Sequence, residues 1–452
     1  MSYLCNFAVK LYKMNEIISD ICSFVWGWPM IILLLGTHLY LTIRLRFPQR
    51  KIFKAIRLSV QKDEDSPGDV SQFAALATSL AATIGTGNIV GVATAVTLGG
   101  PGAIFWCWIT GVLGIATKYA EGLLAVKYRK TTPEGRMLGG PMMALEKGLG
   151  MKWLAIIFCI FTAIASFGIG NMVQSNAISL LCHDTLGMSE WVTGLIVMLL
   201  AGLVILFGVK GIARVCTAFV PFMALLYVLG CIYILIVNGE YVLPAFQTIL
   251  TCAFTPEAGL GGTVGSSIIV TARYGIARGL FSNESGMGSA PIVAAAAQTK
   301  NPVRQALVSC TATFWDTVVI CLLTGLVIVS TLLAYDMDLA NIQDGSLTKE
   351  AFSKIPVVGS PLLTFGVITF AFSTILGWSY YGERAVEYLG GKRLILSYRL
   401  LFIAAVFCGS VFELSLVWNF SDLTNALMAI PNLISLILLS SVIVKETQNS
   451  NI

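Results

Sequence analysis

The sequence predicts an all-α membrane protein with 11 transmembrane helices, in which one extra helix precedes two five-helix repeats of opposite orientation. Hydrophobic residues make up 56% of the 452 residues and charged residues only 12%, whereas a soluble protein of this size needs more charge to cover its surface. The mean hydropathy of +0.81 agrees with that composition. Two glycine-interrupted apolar runs, one at the start of each predicted repeat, indicate the internal symmetry.

Eleven apolar runs are long enough to cross a bilayer as helices, because about 20 residues span the hydrocarbon core. They lie at residues 21–43, 70–98, 104–128, 153–181, 191–208, 213–237, 262–297, 302–332, 359–388, 393–412 and 415–444. The first run is too long for the apolar region of a signal peptide and lacks a small-residue cleavage site, so we expect it to remain as a membrane helix. The predicted organisation is an extra helix with a basic connector (1–69), a first repeat (70–260), a second repeat (261–446) and a C-terminal tail (447–452).

Lysine and arginine residues concentrate in alternate loops, which sets the predicted orientation. The loop after the first run contains a cluster of basic residues: Arg44, Arg46, Arg50, Lys51, Lys54, Arg57 and Lys62. Residues 97–105, between the second and third runs, carry no charge. Basic loops face the cytoplasm, so we expect the N terminus outside and the C terminus inside the cell membrane. The connector 44–69 is either an amphipathic helix at the cytoplasmic surface or an ordinary basic loop.

The composition argues against several other classes of protein. The net charge of +5 does not indicate nucleic-acid binding, since the basic residues lie in loops between apolar runs. The 11 cysteines form no CxxC pair and the only histidines are His38 and His183, which argues against zinc, redox and histidine-based metal sites. The sequence also lacks the nucleophile–base pair of an enzyme and the repeated filter of a channel. We therefore expect a protein that is not an enzyme.

The second apolar run is interrupted near its middle at Gly85 and Gly87, which are followed by Asn88. Glycine and asparagine are poor helix formers, so we expect the helix to break here. Broken backbone at that depth is tolerated only inside protein or along a cavity, which marks a binding site. The seventh run has two glycine-rich stretches, 261–265 and 279–288, and we place its break in the second. Paired breaks at corresponding positions indicate an inverted-repeat transporter.

The two ends of a broken helix suit ligands of opposite charge. Carbonyl groups and the negative dipole end around residues 81–84 suit Na⁺, whereas free N–H groups around residues 86–88 suit a carboxylate. A cation and an amino-acid carboxylate could then lie side by side, and each would lower the electrostatic cost of binding the other. No acid lies within residues 70–99, which favours a zwitterion over a polyamine or an organic cation.

Polar side chains on other runs could complete such a site. Ser373 and Thr374 lie three and four residues after Phe370, so all three share one helix face. The alternative for these hydroxyls is hydrogen bonding back to their own helix. Asn171 and Gln174 also lie three residues apart, with packing hydrogen bonds between helices as the alternative.

Aromatic and ionisable side chains near the two breaks are further candidates. Trp378 and Phe281 could enclose a small substrate, although plain packing is the alternative. Charges inside a membrane mark functional sites unless they snorkel to the interface. The ionisable residues near or within predicted spans are Lys118, Glu121, Arg273, Arg278, Glu284, Asp316, Glu383, Arg384 and Asp422.

Five stretches of sequence carry a resemblance to a known family: TIGTGNIVG (83–91), GGPGAIFW (99–106), ATKYAE (116–121), GNMVQ (170–174) and RGLFSNESGMGSAP (278–291). Over residues 15–445 the chain resembles the alanine or glycine:cation symporter family. That resemblance implies the LeuT-like fold, a five-plus-five inverted repeat. It also implies transport of alanine, glycine or similar small amino acids, driven by Na⁺ or sometimes by protons.

The same resemblance implies a set of ligands. The Na⁺ site would consist of the carbonyl oxygens of Ala81, Ile84 and Phe370 and the hydroxyls of Ser373 and Thr374. The substrate carboxylate would face the amides of residues 86 and 87, with the second break completing the pocket. The full set of predicted substrate-binding residues is Thr83, Gly85, Thr86, Gly87, Asn88, Asn171, Gln174, Phe281, Ser282, Met287 and Trp378.

The sequence therefore predicts a secondary symporter that couples inward Na⁺ flow to uptake of small neutral amino acids by alternating access. The alternative is a transporter of the same fold that is coupled to protons or carries another small zwitterion. Na⁺ is the predicted co-transported ion, and no organic cofactor and no nucleic-acid partner are expected. We expect the protein to function as a monomer in the lipid bilayer of the cell membrane.

Overall fold

The computed structural model describes residues 15–22, 24–61, 63, 66–255, 268–337, 339, 342, 347–412 and 415–450. These residues are helical almost throughout, including 15–22 and 24–25. The strands within them form one short antiparallel pair, β1 (Lys130–Thr131) and β2 (Met137–Leu138), with Lys130 opposite Leu138.

The helices fall on either side of the gap at residues 256–267. Those before it are α1 (Trp28–Arg44), α2 (Ile52–Ser59), α3 (Gln72–Thr83), α4 (Val92–Gly99), α5 (Ala103–Tyr128), α6 (Pro141–Met143), α7 (Lys152–Phe167), α8 (Val173–Leu186), α9 (Glu190–Ile205), α10 (Gly208–Val237) and α11 (Gly239–Phe254). Those after it are α12 (Ile268–Asn283), α13 (Ala290–Ala294), α14 (Pro302–Thr313), α15 (Leu322–Ala334), α16 (Leu347–Ser353), α17 (Gly359–Gly390), α18 (Ile395–Val411), α19 (Ser415–Leu438) and α20 (Ser440–Asn449). Wider π-helical turns occur at Gly87–Gly91, Ala144–Gly148, Gly168–Met172 and Phe314–Cys321, and 3₁₀ turns at Pro48–Lys51 and Lys392–Leu394.

Fewer spans are long enough to cross a membrane than the 11 that the sequence predicts. Within the described residues, seven helical spans are long and apolar enough, or up to nine if two bent pairs each count as one span. Helices α9 and α12 have 16 residues each, which rise about 24 Å, less than the roughly 30 Å of the hydrocarbon core. The start of the seventh run, with its first glycine-rich stretch at 261–265, lies outside the described residues. The count of 11 stays a prediction.

Two segments between the predicted spans are more ordered than expected. Helix α11 lies where the sequence predicts a loop, and it buries Ala245, Ile249 and Cys252 at helical spacing. The connector contains α2, which buries Ile52, Ala55 and Ser59 against α14 and leaves the opposite side of the helix outward. Of the two readings of the connector, the amphipathic helix is confirmed.

Both predicted helix breaks are present. Helix α3 ends at Thr83, Ile84 has extended backbone with ψ 90°, and the chain bends by 53° before Gly87–Gly99 continues. Helix α12 ends at Asn283 and α13 begins at Ala290, so the second break lies within and just beyond the stretch 279–288. Backbone φ is +88° at both Gly286 and Gly288, a conformation that glycine adopts without steric cost.

The broken helices lie in the middle of the helix bundle. Helix α3 packs against α10 and α17, and α12 packs against α5. From α5, the Glu121 Oε1 atom accepts hydrogen bonds from the backbone N–H groups of Gly286 and Gly288, both at 3.1 Å, and from Asn432 Nδ2 at 2.7 Å. The unwound backbone of the second break is thus paired inside the protein, as irregular backbone in a membrane requires.

The outer surface of the bundle is apolar. Large side chains on α9 and α10, among them Leu199, Leu203, Leu225 and Leu229, are exposed. Such a surface would be unfavourable in water and suits contact with lipid.

Candidate functional site: a cavity between two broken helices

The oxygen atoms predicted to bind Na⁺ are clustered where α3 ends against α17. Thr374 Oγ1 lies 3.2 Å from the carbonyl oxygen of Ala81, 3.4 Å from that of Ile84 and 2.9 Å from that of Phe370. Ser373 Oγ lies 3.1 Å from the Ala81 carbonyl oxygen and 2.9 Å from the Phe370 carbonyl oxygen. All five groups are buried.

These contacts outnumber the protons that could form them. Five short oxygen–oxygen contacts involve only two hydroxyl groups, and each hydroxyl donates a single hydrogen bond. Several carbonyl lone pairs therefore point at oxygen without a proton between them. Neutral carbonyl and hydroxyl oxygens are ligands for hard cations, so the cluster suits a bound cation such as Na⁺.

The local structure of the two helices explains the cluster. Ser373 and Thr374 bond back to Phe370, which is the alternative that sequence reasoning left open for them. The same two hydroxyls also reach the Ala81 carbonyl oxygen on α3, so back-bonding alone does not account for their positions. Because Ile84 leaves the helical conformation, its carbonyl oxygen is free to turn toward α17.

A small cavity lies beside this cluster, bounded by both breaks. Its volume for the centre of a water-sized sphere is about 10 Å³, which is room for roughly one water molecule. Helices α8 and α17 form the remaining walls. The lining residues are Ala82, Thr83, Gly85, Gly87, Ile169, Gln174, Phe281, Ser282, Glu284, Thr374 and Trp378.

Two residues at the first break are placed by close contacts. Gln174 Oε1 lies 3.4 Å from the backbone nitrogen of Thr86, and Gln174 Nε2 donates to the Ile169 carbonyl oxygen at 3.0 Å. A Cβ atom at Gly85 would lie 2.6 Å from Thr374 Oγ1. Gly85 is therefore required for the close approach of α3 and α17, and the predicted roles of both positions agree with their placement at the cavity.

Three predicted substrate-binding side chains do not line the cavity. Asn171 Nδ2 donates to the Phe402 carbonyl oxygen at 2.7 Å, which is the interhelical packing alternative. Its placement beside Gln174 assumed α-helical spacing, whereas Asn171 lies in the wider π-helical turn Gly168–Met172. The Met287 sulfur accepts a hydrogen bond from Asn425 Nδ2 at 3.3 Å.

The third of these side chains, Asn88, supports the break from behind. Its Oδ1 atom accepts a hydrogen bond from the Gly85 backbone N–H at 2.9 Å, and its Nδ2 atom donates to Asp316 Oδ1 at 2.6 Å. Asp316 Oδ2 accepts further hydrogen bonds from Ser282 Oγ at 3.0 Å and Thr317 Oγ1 at 2.6 Å. Asp316 thereby connects the first break with α12.

Sequence reasoning recorded Glu284 and Asp316 as intramembrane charges but gave neither a place in the site. Glu284 lines the cavity, where its carboxylate accepts hydrogen bonds from Trp378 Nε1 at 3.0 Å and from Ser289 Oγ at 2.5 Å. The available signal was the position of Glu284 inside the second break. The carboxylate that the first broken helix lacks is supplied by the second.

Comparison with known proteins identifies the family. A sequence model described as the sodium:alanine symporter family matches residues 11–451. The chain belongs to the sodium:alanine symporter family. Among its relatives, the sodium/alanine symporter AgcS of Methanococcus maripaludis is 49% identical over 443 residues, which cover 96% of this chain and 97% of AgcS. An uncharacterised transporter of Haemophilus influenzae is 52% identical over 439 residues, which cover 96% of each protein.

This member of the sodium:alanine symporter family also shares its fold with a solved transporter structure. It is similar to MhsT, whose crystal structure is in complex with L-phenylalanine, with a TM-score of 0.59 over 85% of this chain and 93% of that chain. At 13% sequence identity the likeness concerns the fold alone. The fold agrees with the LeuT-like expectation. The protein is a multi-pass membrane transporter and not an enzyme.

Proposed function

We propose that this protein uses the Na⁺ gradient to take up small neutral amino acids, alanine or glycine, across the cell membrane by alternating access. The observation that carries the proposal is the cluster of oxygens from Ala81, Ile84, Phe370, Ser373 and Thr374, directly beside the cavity. Family membership and the name of the relative AgcS support both the ion and the substrate class.

The substrate is held as a zwitterion between groups of opposite character. Its carboxylate faces the N–H groups at the start of the second half-helix and the amide of Gln174. Its ammonium group is met by the Glu284 carboxylate and nearby neutral oxygens. The Phe281 and Trp378 rings close the cavity, so only a small side chain is accommodated.

Coupling follows from a shared residue. Thr374 belongs to the oxygen cluster and also lines the cavity, so the bound cation and the substrate carboxylate are neighbours. Each charge lowers the electrostatic cost of binding the other, and this effect is reciprocal by thermodynamic linkage. A room for one water must enlarge to admit an amino acid, which requires movement of the lining helices, as alternating access provides.

The remaining parts of the proposal concern topology and assembly. The N terminus lies outside and the C terminus in the cytoplasm, with 11 spans of which ten form the two repeats, and one chain is sufficient for transport. The basic connector after the first span supports this orientation.

Coupling to protons is the second candidate, and the placement of Glu284 at the cavity favours it. A carboxyl group within the substrate site could carry a proton from one side of the membrane to the other. Glu284 would then act in place of the cation, or together with it.

Uptake of radiolabelled L-alanine into proteoliposomes tests the proposal. An inward Na⁺ gradient is expected to drive accumulation above equilibrium, while a proton gradient of the same size without Na⁺ is not. Accumulation that follows the proton gradient and ignores Na⁺ would replace the sodium proposal with the proton-coupled one. Equilibration without accumulation under either gradient would contradict both.

A further inference from the structure

A second cavity lies next to the central one, on the side where α12 begins. Its volume is about 230 Å³. It lies between the helical residues around 19–26, the helix α12 and the helix α19. We call it the vestibule, and its principal lining residues are Trp26, Arg273, Tyr274, Arg278, Phe281 and Asp422.

Phe281 lines both cavities. Tyr274, Arg278 and Phe281 follow one another at spacings of four and three residues, so they share a face of α12. From Arg278 to Phe281 the helix rises about 4.5 Å. The vestibule therefore leads along one helix face to the aromatic ring that closes the substrate cavity.

The charges in the vestibule lack partners in the protein. Within the described residues, Arg278 makes no hydrogen bond or ion pair, and the buried Oδ1 atom of Asp422 has no hydrogen-bond partner. Arg273 has its guanidinium 5.8 Å from the centre of the Tyr274 ring. Buried polar atoms are almost always paired, and intramembrane charges default to functional groups. Two cations and one anion around an open volume suit a small ligand with a carboxylate and an ammonium group.

We propose that the vestibule is a second amino-acid site, which holds the zwitterion before it passes Phe281 into the central cavity. The carboxylate is bound by Arg278 and Arg273, since guanidinium groups pair with carboxylates in bidentate fashion. The ammonium group is bound by Asp422 Oδ1. This inference rests on the proposed function, because it takes the transported amino acid as the ligand.

The proposal also gives the first helix of the chain a role. Trp26 Nε1 donates a hydrogen bond to the Asp422 carbonyl oxygen at 2.8 Å, and Asn419 Nδ2 donates to Asn15 Oδ1 at 2.9 Å. The segment that precedes the two predicted repeats thus fixes α19 and with it one wall of the vestibule. It completes a site that the repeats alone leave open on that side.

Equilibrium binding of radiolabelled L-alanine to the purified full chain, with saturating Na⁺, tests the second site. Two alanine molecules per chain are expected for the unmodified protein, one in each cavity. Arg278→Gln and Asp422→Asn are each expected to reduce this number to one. Because two different elements carry these substitutions, failure of one variant to fold leaves the other to decide. Arg393→Gln is the matched control, since Arg393 is exposed and distant in the fold, and it is expected to bind two.

Uptake gives a second readout. Arg278→Gln is expected to raise the half-saturating alanine concentration about tenfold, equivalent to about 1.4 kcal/mol, while Arg278→Lys, which keeps the charge, recovers part of that loss.

The outcomes separate this inference from the proposed function. One alanine per chain in the unmodified protein, or two in both vestibule variants, overturns the second site. One Na⁺-independent alanine that Arg278→Gln abolishes would support the vestibule site and contradict the Na⁺-coupled central site. No bound alanine under any condition refutes both.

Discussion

Replacing Thr374 by alanine removes the one side chain that belongs to both the oxygen cluster and the cavity. The substitution deletes the hydroxyl that lies 3.2, 3.4 and 2.9 Å from the carbonyl oxygens of Ala81, Ile84 and Phe370. Ser373 still contacts two of these carbonyl oxygens. We therefore expect the protein to fold and to bind Na⁺ through four ligands instead of five.

The size of the effect follows from the charge on the ligand. A hydrogen bond or dipole contact to a charged group is worth about 1.5–3 kcal/mol, compared with roughly 1 kcal/mol for a neutral pair. The apparent Na⁺ affinity should fall about 10- to 150-fold. The loss of stability should stay near 1 kcal/mol, because one neutral hydrogen bond is removed on folding.

The assay is Na⁺ dependence of alanine uptake in proteoliposomes, together with thermal unfolding of the purified variant. Thr364→Ala is the matched control, because Thr364 is on the same helix α17 and makes the same back-bond, to the Ser360 carbonyl oxygen at 2.9 Å, away from the cluster. Thr374→Ser, which restores a hydroxyl, should recover most of the affinity. A Thr374→Ala variant with the Na⁺ dependence of the unmodified protein would refute the placement of the cation at this cluster.

Three further predictions address other parts of the site. Gln174→Ala should raise the half-saturating alanine concentration about tenfold and leave Na⁺ binding in place; unchanged uptake kinetics would return Gln174 to packing. Gly85→Ala should abolish Na⁺-driven uptake, because its Cβ would lie 2.6 Å from Thr374 Oγ1; normal uptake would show that the two helices need no such close approach. Glu121→Gln should lower the unfolding temperature by a few degrees, since its three hydrogen bonds at the second break lose their charge; an unchanged unfolding temperature would contradict that role.

The ion-binding side of the site could be predicted because its signals are local. Gly85 and Gly87 break a helix through intrinsic propensity, and the spacing of Phe370, Ser373 and Thr374 places three oxygens on one face. Each of these facts needs only a few neighbouring residues. The meeting of the two segments came from the resemblance to a family, and the structure brings them together.

Other features depend on which helices pack together, and spacing alone does not determine this. Asn171 was placed by α-helical periodicity, but it lies in a π-helical turn that changes the direction of its side chain. Glu284 and Asp316 were visible as charges, yet their contacts with Trp378 and Asn88 join residues 94 and 228 positions apart. Helix α11 was missed because an apolar segment of 16 residues is too short to be recognised as a membrane span.

The central claim is that Na⁺ and the amino acid bind side by side at the break between α3 and α4. The most direct test is the dissociation constant of L-alanine, measured on the purified protein over a range of Na⁺ concentrations. The account predicts that saturating Na⁺ tightens alanine binding about tenfold or more, and that saturating alanine tightens Na⁺ binding by the same factor. An alanine dissociation constant that does not change with Na⁺ would contradict it.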